Sequence, residues 1–179
     1  MSINMSNVKQ IMHNNKEVIK IEDSLGHILW QKESQASWHT VWEGSVFCEG
    51  YVSFTFSPPR TYTTGDGTVL YTVDTTTLPN PESIQCRVTF SGMKTYGSTT
   101  TSTPSNKTSP YTITGIDTAK TIIQAEGTSS NNAYYAYAKL RISRSGNTSS
   151  FNISCYTRAA SRGNNYGGEF TVKKIELYY

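Results

Sequence analysis

The sequence predicts an all-β protein in two parts: a small three-stranded meander over residues 1–33, then an antiparallel β-sandwich of jelly-roll or immunoglobulin-like type over residues 34–179. Three observations carry this. Apolar residues recur with a period of two in run after run, the mark of half-buried antiparallel strands. Stretches rich in Gly, Pro, Ser and Asn separate those runs at the spacing of a sandwich. The composition also changes after the polar segment "QKESQAS" (Gln31–Ser37), which reads as a linker.

Taken in order, Val8–Met12 opens the meander, and "HNNK" (His13–Lys16) offers an Asn-Asn pair that tolerates the positive φ of a tight hairpin. "EVIKI" (Glu17–Ile21) is the second strand, "DSLG" (Asp23–Gly26) a turn, and "HILWQ" (His27–Gln31) the third. Three strands stand near the lower limit of independent stability. An apolar face built from Ile19, Ile21, Ile28 and Trp30 needs cover from the body, another copy of the chain or a larger assembly.

In the body, "SVFCEGYVSFTF" sets Val46, Cys48, Val52, Phe54 and Phe56 on one face and Glu49, Ser53 and Thr55 on the other. "IQCRVTF" opposes Ile84, Cys86, Val88 and Phe90 to Gln85, Arg87 and Thr89. "AYYAYAKLRIS" aligns Tyr134, Ala136, Ala138, Leu140 and Ile142, and "FNISCYT" aligns Phe151, Ile153 and Cys155. "TAKTIIQAEG" is the best helical candidate, but its Thr and Ile content suits a strand as well. "STTTSTPSNKTS" is low-complexity and reads as an exposed loop. Trp38 and Trp42, four apart, are expected on one strand face as core residues.

Composition narrows the function. With 179 residues the chain suits one medium β domain plus an appendage. No apolar run approaches a membrane span, and the opening "MSINMSNVKQ" lacks the apolar region of a secretory signal, so synthesis in a cytoplasm without export by that route is expected, with no membrane insertion. A net charge of +3 is too mild to demand nucleic acid, and no recognition motif supports one. Three cysteines at wide spacing fit neither a disulfide framework nor a zinc site, and each falls on an apolar strand face. The three histidines lie in or beside the leading segment, far in sequence from Cys86 and Cys155.

No metal or cofactor is expected. "GDG" (Gly65–Gly67) reads as a turn, since few other Asp residues could complete a calcium cage. Carboxylates that could meet in space include Glu43, Glu49, Asp66, Asp74, Asp117, Glu126 and Glu169. None has a sequence context that would raise its pKa for acid–base work, so no catalytic residue is assigned. "NYGGEF" lacks the helix that a phosphate cradle needs.

One pattern points to recognition. If "YYAYAKLRIS" and "SFNISCYTR" pair through "RSGNTS", the polar face of the hairpin carries Tyr135, Tyr137, Lys139 and Arg141 beside Asn152, Ser154, Tyr156 and Arg158. Tyr and Arg combine contact area with directed polar atoms, which suits a ligand such as a glycan or a subunit contact. An ordinary solvated sheet face is the plainer reading.

The leading segment "VKQIMHNNKEVIKIEDSLGHILWQK" resembles small N-terminal modules on virion proteins of tailed bacteriophages. The shared features are the strand Lys16–Ile21, the turn glycine Gly26 and the ending Leu29–Lys32. The last segment, "EFTVKKIELYY", is similar to the closing strand of phage tail and fibre β domains. The resemblance implies a non-enzymatic virion structural protein of tail or head, made in the host cytoplasm. Residues 1–33 would bind other virion proteins, and the sandwich would be displayed for assembly or host-surface contact. It also implies a homo-oligomer, with trimers common among phage fibres. The rival readings are a carbohydrate-binding module of a cellular protein and a small polysaccharide hydrolase.

Overall fold

The computed structural model describes residues 11–13, 16–18, 20–22, 25, 27–31, 36–53, 60–97, 100–102, 108–128, 135–158 and 166–179. The chain divides into two compact units, Met1–Ala36 and Ser37–Tyr179. Both are built from antiparallel strands.

The leading unit holds β1 (Ile11–His13), β2 (Lys16–Val18), β3 (Lys20–Glu22) and β4 (Ile28–Gln31). Among the described residues β1 pairs only with β2 and β3 only with β4, giving two two-stranded ladders. The single three-stranded meander expected from sequence is not formed among the described residues. The reason lies in register: the first hairpin uses residues 16–18 as its return strand, closing on His13↔Lys16. The second begins at Lys20↔Gln31. The segment expected as one middle strand is thus shared between two partners. Of the expected apolar set, Ile21 is half-buried and its backbone stands opposite Trp30. Ile28 lies two residues before Trp30 on β4, and Ile19 falls outside the described residues. Leu25 and Leu29 are exposed, at 80% and 57%.

The body holds β5 (Trp38–Ser53), β6 (Arg60–Thr64), β7 (Val69–Asp74), β8 (Gln85–Gly97), β9 (Thr100–Ser102), β10 (Tyr111–Thr114), β11 (Lys120–Thr128), β12 (Tyr135–Ser145), β13 (Thr148–Arg158) and β14 (Tyr166–Tyr178). One sheet runs β10-β8-β14-β5-β6, with β9 added to β8; the other runs β11-β12-β13-β7. A single apolar cluster joins them. It takes Cys48, Val88, Phe90, Phe170, Val172, Ile175 and Leu177 from the first sheet and Ile122, Ile123, Leu140, Ile142, Phe151 and Ile153 from the second. The body is therefore sandwich-like and all-β. β11, β12 and β13 are successive neighbours, and β14 then joins the other sheet. A Greek-key unit would instead return its fourth strand beside the first. The "TAKTIIQAEG" segment is strand β11.

The alternation that marks these strands in the sequence is the alternation of burial. Ile84, Cys86, Val88 and Phe90 are all buried, as are Ala136, Ala138, Leu140 and Ile142. Phe54, Phe56 and Tyr134 lie outside the described residues, as does the side chain of Cys155. Cys48 and Cys86 are buried, and burial pushes the Cys86 thiol up to about 12. At neutral pH it stays protonated and packs as a small apolar group.

Two local devices shape the body. First, Gly168 and Gly50 face each other across β14 and β5. A Cβ on Gly168 would overlap the Ala125 carbonyl oxygen on β11, and one on Gly50 would overlap the Tyr137 carbonyl oxygen on β12. The two sheets thus approach backbone to backbone at this end, where the Ala125 Cβ lies 3.0 Å from the position a Gly168 Cβ would take. Second, β5 is irregular against β14. The register passes from Ile175↔Trp42 to Glu176↔Thr40, which leaves Val41 as an extra residue. Such a bulge inverts side-chain parity. Trp42 therefore packs against the core beside Val41. Trp38 falls on the other face, with the Arg87 guanidinium carbon 4.1 Å from its ring centroid and the Tyr178 ring 5.3 Å away. The expectation that Trp38 and Trp42 share a core face is corrected by that one residue.

Candidate functional site

β12 and β13 pair over their whole length, from Tyr135↔Arg158 to Ser145↔Thr148. Gly146 leads the two-residue turn with φ 57°, a conformation that glycine adopts without steric cost. Because Ala136, Ala138, Leu140 and Ile142 fill the core, Tyr137, Lys139 and Arg141 stand on the outer face. The register sets Tyr137 opposite Tyr156, Lys139 opposite Ser154 and Arg141 opposite Asn152. The hairpin expected from sequence thus forms and brings these positions together along one backbone ladder. The side chains of Tyr135, Tyr156 and Arg158 lie outside the described residues.

The described side chains make several polar contacts on this sheet. The Lys139 ammonium sits 4.5 Å from the Tyr137 ring centroid, a cation–π contact. On the neighbouring strand, the Gln124 amide donates to Glu126 Oε2 at 2.6 Å. Arg141 Nε donates to Ser143 Oγ at 3.1 Å, and Ser143 Oγ donates to Asn152 Oδ1 at 3.3 Å. Thr72 on β7 and Ser150 on β13 hydrogen-bond through their hydroxyls at 3.3 Å.

Where this face meets edge strand β7 there is an open depression of about 370 Å³, lined by Asp66, Gly67, Val69, Arg141, Ser143, Asn152, Ile153 and Ser154. Asp66 belongs to the turn between β6 and β7, where Gly65 and Gly67 take φ 79° and 75°. "GDG" is therefore a turn, and it also places Asp66 at the rim. Sequence reading missed Asp66, Val69 and Ser143 as members of this surface. Strand alternation could have supplied Ser143, two residues beyond Arg141. Nothing in the sequence says that β7 lies beside β13.

The other sheet carries ion pairs on its own outer face. Arg87 donates from Nε and Nη2 to the two Glu176 oxygens at 2.8 and 2.9 Å, and Lys174 lies 3.1 Å from Oε1. The hydrogen bond from Arg87 leads the causes that hold the Glu176 carboxyl below its ordinary value. Glu49 stands directly opposite Glu169, itself 3.2 Å from Lys94. Burial, and secondly the Glu169 charge, raise the Glu49 pKa. This corrects the expectation that none of the named carboxylates has an apolar setting that would raise its pKa: partial burial supplies it first, and the Glu169 charge, brought opposite by cross-strand register, adds to it.

An outcome follows for Glu49. An acid with a raised folded pKa contributes its stability fully below the unfolded pKa and loses it as pH rises through the folded value. Glu49→Gln is therefore expected to be more stable than the parent at pH 7, by a modest amount because the side chain is partly in water. The difference should close as pH falls below the ordinary carboxylate range. Urea midpoints for both proteins from pH 3 to pH 8 read this. A constant gap would contradict the raised Glu49 pKa.

Among the described residues no three His, Cys, Asp or Glu side chains gather as a metal site, and no helix is long and apolar enough to cross a membrane. No family model, curated protein or solved structure matches the chain.

Proposed function

We propose that the chain is a non-enzymatic structural protein of a bacteriophage particle, displayed on tail or head. Residues 1–33 attach it to other virion proteins, and the body over residues 34–179 meets the host surface. The observation that carries this reading is the outer face of the β11-β12-β13-β7 sheet: Tyr137, Lys139 and Arg141 in one row, beside a wide, shallow, polar depression. Such a surface suits contact with an extended surface polymer, since it offers ring and guanidinium faces with directed hydrogen-bond groups. The leading segment supports attachment through its resemblance to phage virion modules and through Leu25 and Leu29, apolar side chains left largely in water. A homo-oligomer, such as a trimer, would cover them with identical surfaces.

The test is the protein content of gradient-purified particles from the phage-producing culture. Peptides from the whole chain at a fixed copy number per particle are the expected result. Recovery only from the soluble fraction of the lysed host would overturn the reading.

A further inference from the structure

We propose that the depression at the β7 edge is a binding site for an acidic saccharide, with the sugar carboxylate held by Arg141 and Asn152. This deepens the host-contact reading and rests on it for the biological source of the sugar, while the chemistry rests on the site alone.

Hydrogen-bond direction sets the chemistry. Arg141 commits only its Nε, to Ser143 Oγ, so its two terminal amino groups have no partner among the described residues. That one bond fixes the plane of the guanidinium at its base and leaves its outer fork open. Ser143 passes the polarity on by donating to Asn152 Oδ1. The Asn152 carbonyl oxygen is thereby occupied, and its amide nitrogen is left with two donors to offer. Arg141 and Asn152 are direct cross-strand partners, so the donors stand side by side. A planar fork beside an amide NH₂ is complementary to a carboxylate, which accepts from Arg in a bidentate manner.

The rest of the lining selects a sugar over a bare anion. Val69, 56% exposed, presents an apolar wall against which the C–H face of a pyranose ring can lie. Ser154 and the turn residue Asp66 line the same depression, and the Ser154 hydroxyl can exchange hydrogen bonds with ring hydroxyls. Lys139, two residues from Arg141 on the same face, adds positive charge along the path of a longer polymer. The depression is open, which suits a chain passing through it.

The experiment is titration of the full-length protein with α-1,4-linked tri-galacturonate, followed by amide chemical shifts. Its fully methyl-esterified form, acetate and a glutamate-containing peptide of equal charge serve as the other arms. Saturable binding of tri-galacturonate below about 5 mM is expected, with the ester at least about tenfold weaker, a loss of roughly 1.4 kcal/mol. Shifts should centre on residues 66–69, 141–143 and 152–154. Arg141→Gln should abolish binding, Arg141→Lys should weaken it for want of the fork, and Asn152→Asp should repel the carboxylate. Arg141 is exposed, so its two variants should keep the parent melting temperature. Equal affinity for acid and ester, equal affinity for the peptide, shifts centred elsewhere, or no binding at about 5 mM would each overturn the assignment. Presence in virions does not depend on Arg141. A protein found in particles that ignores the acid sugar defeats this site alone, and one that binds the sugar but is absent from particles defeats the virion reading alone.

Discussion

Gly168→Ala is expected to cost about 3 kcal/mol or more, and Gly168→Val to leave a body without cooperative unfolding, because the added atoms have nowhere to go. Gly168 lies in β14, the central strand of its sheet, hydrogen-bonded to β5 on one side and β8 on the other. The atom a Cβ would strike is the Ala125 backbone oxygen, which is no flexible tip: β11 would have to shift as a whole. Gly50 stands opposite and makes the same kind of approach to the Tyr137 carbonyl. Relief at one glycine therefore strains the other. Gly146→Ala is the control. It has open space around its Cβ position and a φ of 57°, so it should cost only about 1–2 kcal/mol from backbone conformation. Urea denaturation of the three variants separates the cases. If Gly168→Ala behaved like Gly146→Ala, the backbone approach of the two sheets would be wrong. Against a usual net stability of about 5–15 kcal/mol, the expected loss is large.

Phe151→Ala should remove about 3–5 kcal/mol, the range for emptying a buried aromatic site. Phe151 is fully buried on β13, with the Tyr71 ring of β7 at 6.0 Å and 43°. These two strands frame the depression, since Asn152 pairs with Val69 immediately beside Phe151↔Tyr71. The loss therefore falls on the same edge that holds the proposed site. Tyr137→Ala, on the outer face of the same sheet, should change stability by no more than about 0.5–1 kcal/mol. Thermal unfolding of both variants checks the contrast. Similar losses at the two positions would mean that inside and outside have been exchanged on β12 and β13.

The all-β class and the inner faces were legible because period-two alternation is written in consecutive residues. Ile84 through Phe90 and Ala136 through Ile142 needed no partner strand to be read. The hairpin of β12 and β13 was legible for the same reason, with a short glycine-containing turn between two alternating runs. What escaped depends on register and on contacts distant in sequence. The extra residue at Val41 moves Trp38 to the outer face, and no local signal marks it. The close approach at Gly50 and Gly168 is set by β11 and β12, so "NYGGEF" could be read only as lacking a phosphate cradle. Glu49 meets Glu169 across 120 positions through strand pairing. Asp66 joins Arg141 at one depression only because β7 closes the edge of the second sheet. In the leading segment, the pairing of residues 16–18 with one strand and 20–22 with another follows from hairpin register, which the sequence does not show.

The central claim is a division of labour: the leading unit attaches, and the body makes contact. The most direct measurement supplies a phage lacking its own copy with either the full chain or residues 37–179, and counts copies per purified particle. The account predicts that the body alone folds, with the near-ultraviolet circular dichroism of the full chain, yet is absent from particles that incorporate the full chain. Equal incorporation of the body lacking residues 1–36 would contradict it.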